Sequence, residues 1–162
     1  MLEIEAKKNN EEIVNMLLEH PSLKIEKVDF FLFMQMTSFT IPSSMTIIKE
    51  GTFRYFNLLK KVVITDKVRS IKNSAFAYCT SLESVIFPSS VTSIGDLAFD
   101  KCSSLKQIAL PSSLHTIWNY AFNECSSLME VTFPTIREST LKQCSSLQQL
   151  IFNSSLTSIG NY

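Results

Sequence analysis

From residue 42 onward, apolar positions recur in a fixed order every 23 residues. Segments 65–87 (TDKVRSIKNSAFAYCTSLESVIF), 88–110 (PSSVTSIGDLAFDKCSSLKQIAL) and 111–133 (PSSLHTIWNYAFNECSSLMEVTF) align without gaps. Segment 42–64 is a weaker copy with Phe56 in place of the cysteine, and 134–152 is a copy of only 19 residues. Ile136 stands eight before Cys144, as Ile94 stands eight before Cys102, so the missing residues fall between Pro134 and Ile136. A sixth copy begins at Asn153 and reaches Tyr162, short of its Ala-Phe and Cys positions. Self-similarity at such a period is the signature of stacked repeats.

Within one copy, Leu105, Ile108 and Leu110 face inward at strand spacing. Pro111-Ser-Ser makes a turn, because proline fixes its own φ and cannot donate to a central ladder. Leu114 and Ile117 give a second inward pair, and residues 119–125 read as a short helical turn in which Ala121 permits close approach and Phe122 fills the interior. No single coil can bury these side chains, whereas stacked coils bury each other's. The core is therefore expected to be a set of columns, such as Phe53, Phe76, Phe99, Phe122 and Leu141, or Leu59, Leu82, Leu105, Leu128 and Leu147. A parallel sheet is expected near 61–64, 84–87, 107–110, 130–133 and 149–152, with irregularity at 134–136.

The pattern L-x-x-[VIL]-x-[FIL]-P-S-S-[VL]-x-x-I-x-x-x-A-F-x-x-C, which covers residues 37–162, is similar to the BspA-like leucine-rich repeat of bacterial and protist surface proteins. The resemblance implies an α/β fold: a right-handed leucine-rich-repeat solenoid of 23-residue coils, a parallel sheet on one face, and short helical turns and short strands elsewhere. It also implies adhesive or protein-binding roles. Ser90 and Ser113 stand where the general leucine-rich repeat has an asparagine ladder, a departure that matches this subclass.

Residues 1–36 are expected to form a separate N-terminal helix and capping segment. Ile4, Ile13, Val14, Leu17 and Leu18 fit one helix face. Two readings stand: an amphipathic helix capping the first coil, or the remnant of an ankyrin-like helical hairpin. Phe30, Phe31, Phe33, Met34 and Met36 read as a degenerate first coil rather than a membrane-contacting patch.

Composition narrows the function classes. The 162 residues carry 15 basic and 15 acidic side chains, which argues against nucleic acid as the main partner. The balance is uneven, since residues 41–80 hold seven basic side chains against two acidic ones. These (Lys49, Arg54, Lys60, Lys61, Lys67, Arg69 and Lys72) read as a solvated face before they read as a contact for an acidic partner. No secretory signal is visible at the start, and no apolar run approaches the roughly 20 residues a membrane helix needs. The runs therefore predict no membrane span. Cell surface follows from the family resemblance and cytoplasm from the absence of a visible signal, so localisation stays open.

Cys79, Cys102, Cys125 and Cys144 occupy one repeat position and have no C-x-x-C spacing, so they read as a column of buried thiols rather than a zinc site. Stacked coils lie about 5 Å apart, which would also permit a disulfide. His20 and His115 are isolated, and the serines belong to P-S-S and C-S-S turns, so no catalytic residue, cofactor site or metal site is predicted. Asn153-Ser-Ser is a glycosylation sequon that matters only in a secreted protein.

The predicted work is binding, by a non-catalytic module of a surface adhesion or antigen-like protein whose partner is another protein or a cell-surface ligand. The alternative is an intracellular scaffold with an ankyrin-like start. Outward columns of the main strand supply the candidate face: Lys61, Ser84, Gln107, Glu130 and Gln149, beside Val63, Ile86, Ala109, Thr132 and Ile151. A third column at the strand entrance is Lys60, Glu83, Lys106, Met129 and Gln148. Trp118 takes a position held elsewhere by Lys72, Gly95, Arg137 and Gly160, which marks it as a candidate exposed hot spot. The unfinished last coil predicts self-association through its edge.

Overall fold

A computed structural model of the chain describes residues 35–133 and 140–152. The ankyrin-like reading of the N-terminal segment, the shortened stretch 134–136 and the sixth copy lie outside the described residues.

Among the described residues each coil contributes a main strand, followed in the first four coils by a two-residue strand. The main strands are β1 (Ser38–Thr40), β3 (Lys61–Val63), β5 (Ser84–Ile86), β7 (Gln107–Ala109), β9 (Glu130–Phe133) and β10 (Gln149–Phe152). The short ones are β2 (Ile47–Ile48), β4 (Ser70–Ile71), β6 (Ser93–Ile94) and β8 (Thr116–Ile117). All pairings are parallel, and equivalent repeat positions face each other: Val62 lies opposite Val85, Ile71 opposite Ile94, and Ile108 opposite Val131. The short strands form one continuous four-stranded sheet.

The expected single main sheet is instead two, β1-β3-β5 and β7-β9-β10. At the gap the coils stay joined through β6 and β8 and through the turns, where the N–H groups of Leu97, Phe99 and Lys101 donate to the carbonyls of Asn119, Ala121 and Asn123.

The expected helical turns are not helices, and the hydrogen bonds give the reason. The N–H groups of Ala75, Ala77 and Cys79 donate three residues back, to Lys72, Ser74 and Phe76. Those of Ser74, Phe76 and Tyr78 leave the turn and donate to Asp96, Ala98 and Asp100 of the next coil. A helix spends every interior N–H on itself; here alternate ones stitch coils together.

That stitching needs left-handed backbone at two positions per coil, four residues apart. Gly51, Ser74, Leu97 and Tyr120 form one such column, and Tyr55, Tyr78, Lys101, Glu124 and Gln143 the other, all with φ between 53° and 67°. Only the first coil uses glycine there. Left-handed backbone costs an L-residue roughly 1–2 kcal/mol, part of which glycine returns as unfolded-state entropy. Ser74→Gly should therefore stabilise the fold by about 0.5–1 kcal/mol, seen as a higher urea midpoint.

The interior is built from the predicted columns. Phe53, Phe76, Phe99 and Phe122 are fully buried and nearly parallel, with successive ring centroids 5.0, 5.1 and 5.3 Å apart. Leu141 ends the column, partly buried.

Polar columns bind the coils beside the apolar ones. Ser90 Oγ donates to the Val68 carbonyl at 2.7 Å and Ser113 Oγ to that of Val91 at 2.8 Å. Thus serine links successive coils at the position where an asparagine ladder is usual. Asn73 Oδ1 accepts from the Asp96 N–H, and Asp96 Oδ1 from the Asn119 N–H, each at 3.1 Å.

Candidate functional site

The strand face carries the outward columns read from the sequence. Register places Lys61 beside Ser84 and Val63 beside Ile86 in the first sheet. In the second it places Gln107, Glu130 and Gln149 in one row and Ala109, Thr132 and Ile151 in another. The hydrogen-bond ladder is interrupted between β5 and β7, which remain neighbours on the same face. Ile86 is 49% exposed and Ala109 is exposed, while Val63 and Thr132 are half-buried.

At the strand entrance, Lys106, Met129 and Gln148 border an open cleft of about 420 Å³, whose remaining walls are Ser127, Ser145, Ser146 and Leu147. Lys106 supplies its charge, the serines of the C-S-S turns its hydroxyls, and Met129 and Leu147 its apolar surface.

Trp118 lies on another side of the coil, directly after β8, and is 44% exposed. Its counterpart in the preceding coil is Gly95, which is held tight: a Cβ there would lie 2.5 Å from Asn73 Oδ1 and 2.7 Å from the Asn73 backbone nitrogen. At its own repeat position, therefore, no side chain from the preceding coil stands beside Trp118. The seven basic residues of 41–80 are all exposed, but Lys61 lies in a main strand, Lys60 just before it, Lys49, Arg69 and Lys72 beside the short strands and Arg54 and Lys67 in turns, so they are spread around the coils instead of forming one patch.

The left-handed positions hold a row of side chains that the sequence reading did not single out. The Tyr55 and Tyr78 rings lie 4.8 Å apart, and Arg54 Cζ sits 4.9 Å from one centroid and 5.5 Å from the other. Lys101 Nζ lies 5.1 Å from the Tyr78 ring and 3.6 Å from Glu124 Oε1, and this carboxylate holds the Lys101 ammonium above its ordinary pKa. The available signal was tyrosine at one repeat position in two successive copies, 55 and 78.

The cysteine column faces inward. Cys79, Cys102 and Cys125 are fully buried and Cys144 partly so, all as free thiols. Each donates to the carbonyl of a phenylalanine in the preceding coil: Phe53 at 3.0 Å, Phe76 at 3.3 Å, Phe99 at 3.2 Å and Phe122 at 3.1 Å. Burial pushes Cys79 up to about 12 and Cys144 up to about 11, and raises Cys102 and Cys125 well above the ordinary thiol range. Such thiols are poor nucleophiles. Among the described residues no group of three metal-ligating side chains is assembled, and no helix is long and apolar enough to cross a membrane.

Residues 23–137 match the family described as the BspA type leucine rich repeat region, with six copies. The chain belongs to this BspA-type leucine-rich repeat family. Among solved structures it is similar to a leucine rich cell surface protein from Faecalibacterium prausnitzii, at 28% identity and a TM-score of 0.71, over 74% of this chain and 33% of that one. It shares its fold with the pneumococcal vaccine antigen PcpA, at 22% identity and a TM-score of 0.70, over 76% of this chain and 31% of that one. A leucine-rich repeat protein from Bacteroides ovatus matches at 26% identity and a TM-score of 0.59, over 77% of this chain and 39% of that one. The chain thus spans about a third of the length of the first two. No curated protein matches it.

Proposed function

We propose that the chain is a non-catalytic protein-binding module of a surface adhesion or antigen-like protein, and that it binds through the strand face. The observation that carries this reading is the in-register row of Val63 and Ile86, and of Ala109 and Thr132, bordered by the polar row of Lys61, Ser84, Gln107 and Glu130. Apolar side chains rimmed by polar ones are the anatomy of a contact surface. Support comes also from the likeness to the cell surface protein of F. prausnitzii. The cleft beside Lys106 adds a place for one protruding side chain of the partner.

Magnitude bounds the affinity. Strands at about 4.8 Å, each showing about three residues of about 3.3 Å, give a strip of roughly 200–300 Å². A standard interface buries about 800 Å² per partner. One chain should therefore bind weakly, with strong adhesion coming from multivalent display.

The test immobilises the chain and passes purified extracellular-matrix and cell-surface proteins over it. Ile86→Lys with Thr132→Lys should weaken any specific complex at least about tenfold while leaving the circular dichroism unchanged. An unaltered affinity would remove the site from the strand face.

A further inference from the structure

We propose that the turn face, built on the left-handed columns, binds a linear acidic polysaccharide, as a second surface separate from the strand face.

The first observation is where strain is kept. The stitching of coils demands left-handed backbone, but it demands no particular side chain, and glycine at Gly51 meets it without the steric cost. Most of the other left-handed positions nonetheless carry large side chains, Tyr55 in the same coil as Gly51 included. Tyr55 is 47% exposed, Leu97 37% and Tyr120 38%, and none of the three belongs to the buried core cluster. Strain retained at exposed positions points to function.

The second observation is the chemistry of the face. Arg54 and Lys101 sit over tyrosine rings, and Lys142 Nζ lies 5.5 Å from the Tyr120 ring. The Arg54 guanidinium and the Lys142 ammonium keep their remaining N–H groups for an anion, whereas the Lys101 charge is matched by Glu124. In the row Tyr55, Tyr78, Lys101, Glu124 the one acid is already paired with Lys101. The neighbouring carboxylate of Asp100 is buried and accepts from Asn123 Nδ2 at 2.7 Å, and that of Asp96 caps the Asn119 N–H. The face thus offers aromatic surface with cations beside it, which suits a ligand carrying both C–H faces and carboxylates or sulfates.

The third observation is spacing. On this face the Tyr55 and Tyr78 rings are 4.8 Å apart, and the buried phenylalanine column repeats at 5.0 to 5.3 Å, so successive coils advance by close to 5 Å. A pyranose unit in a linear glycan has nearly this length, so a chain laid along the stack keeps one sugar per coil. An extended peptide advances about 3.3 Å per residue and falls out of step.

The experiment is isothermal titration of the full chain with four polymers: polygalacturonate, a heparin oligosaccharide, neutral dextran and poly-L-glutamate. One or both acidic glycans should bind, the first reporting carboxylate recognition and the second sulfate. Dextran should not bind, and poly-L-glutamate should bind at least about tenfold more weakly. Tyr55→Ala with Tyr78→Ala, and separately Arg54→Ala, should each weaken glycan binding about tenfold or more. Leu97→Gly should raise the urea midpoint while weakening the glycan complex, a combination that a purely structural role does not give. Failure of both acidic glycans at millimolar concentration overturns the proposal. So does equal binding of poly-L-glutamate, which would make this an acidic-peptide surface, or glycan affinity indifferent to the tyrosines, which would reduce it to unspecific charge attraction.

Discussion

Phe99→Ala should destabilise the protein by about 3–5 kcal/mol. The side chain is fully buried, and its ring lies between Phe76 at 5.1 Å and Phe122 at 5.3 Å, with interplanar angles of 6° and 7°. The Phe87 ring meets it edge-on at 6.0 Å. Truncation removes both stacked neighbours at once and leaves a cavity that backbone hydrogen bonds on either side prevent from collapsing. Because each coil is held mainly by its two neighbours, the damage falls on both interfaces. Marginal stability of about 5–15 kcal/mol makes this about a fifth of the total or more. Phe99→Leu is the control, since Leu141 already fills the same column one coil beyond Phe122, and it should cost less than about 1.5 kcal/mol. Urea titrations of the two variants check both numbers. A cost for Phe99→Ala below about 1 kcal/mol would mean that the phenylalanine column does not hold the stack together.

Much of this architecture is legible in the residues themselves, because a stacked fold writes its core as a repeat. Phe76, Phe99 and Phe122 recur at one interval, and only adjacent coils can bury three such side chains, so periodicity alone gives the column and the parallel register. The main strands fall within a residue of where the alternation of Val85 with Ser84 and Ile86 places them. The turns were not legible. Nothing in Leu97, Tyr120 or Lys101 advertises a left-handed backbone, which is ordinarily read from glycine or asparagine. The Ala-Phe stretch has helical spacing, and it is the coil-to-coil hydrogen bonds, a tertiary feature, that break the helix. The tyrosine and cation row follows from those unreadable turns: the recurrence of tyrosine at 55 and 78 is legible, but the left-handed backbone that sets cations over the rings is not. The gap between β5 and β7 has no counterpart in residue type at all: Gln107-Ile-Ala continues the pattern of Ser84-Val-Ile.

The division between faces has a functional consequence. A solenoid that spans about a third of its structural relatives gains avidity by adding coils, because each coil extends both the strand face and the turn face by one unit. On the two proposals above, a protein partner on one face and a repeating polymer on the other would not compete for the same side chains.

The cysteine column sets an alkaline limit on stability. An unfolded thiol titrates near its ordinary value of 9.0, whereas burial holds Cys79 to about 12 in the fold, and Cys102 and Cys125 well above the ordinary range. For an acid whose folded value is raised, the stabilisation is complete below the unfolded value and is lost as pH rises through the folded one. Stability should therefore be flat toward neutral pH and fall above about pH 9, by about 1.4 kcal/mol per pH unit for each thiol that ionises only on unfolding. Replacing Cys79, Cys102 and Cys125 together by alanine should reduce that alkaline slope to the part that Cys144, held at about 11, contributes, while lowering stability at neutral pH. The hydrogen bond to the Phe76 carbonyl gives Cys102→Ser a partner for its hydroxyl, so that change alone should cost only about 1–2 kcal/mol. Iodoacetamide supplies the independent measurement: Cys102 and Cys125 should resist it in the native state and react once urea unfolds the chain, whereas the partly buried Cys144 should react first. Prompt native labelling of Cys102, or an alkaline slope unchanged in the triple variant, would show that the column faces water and that the carbonyl bonds do not seal it.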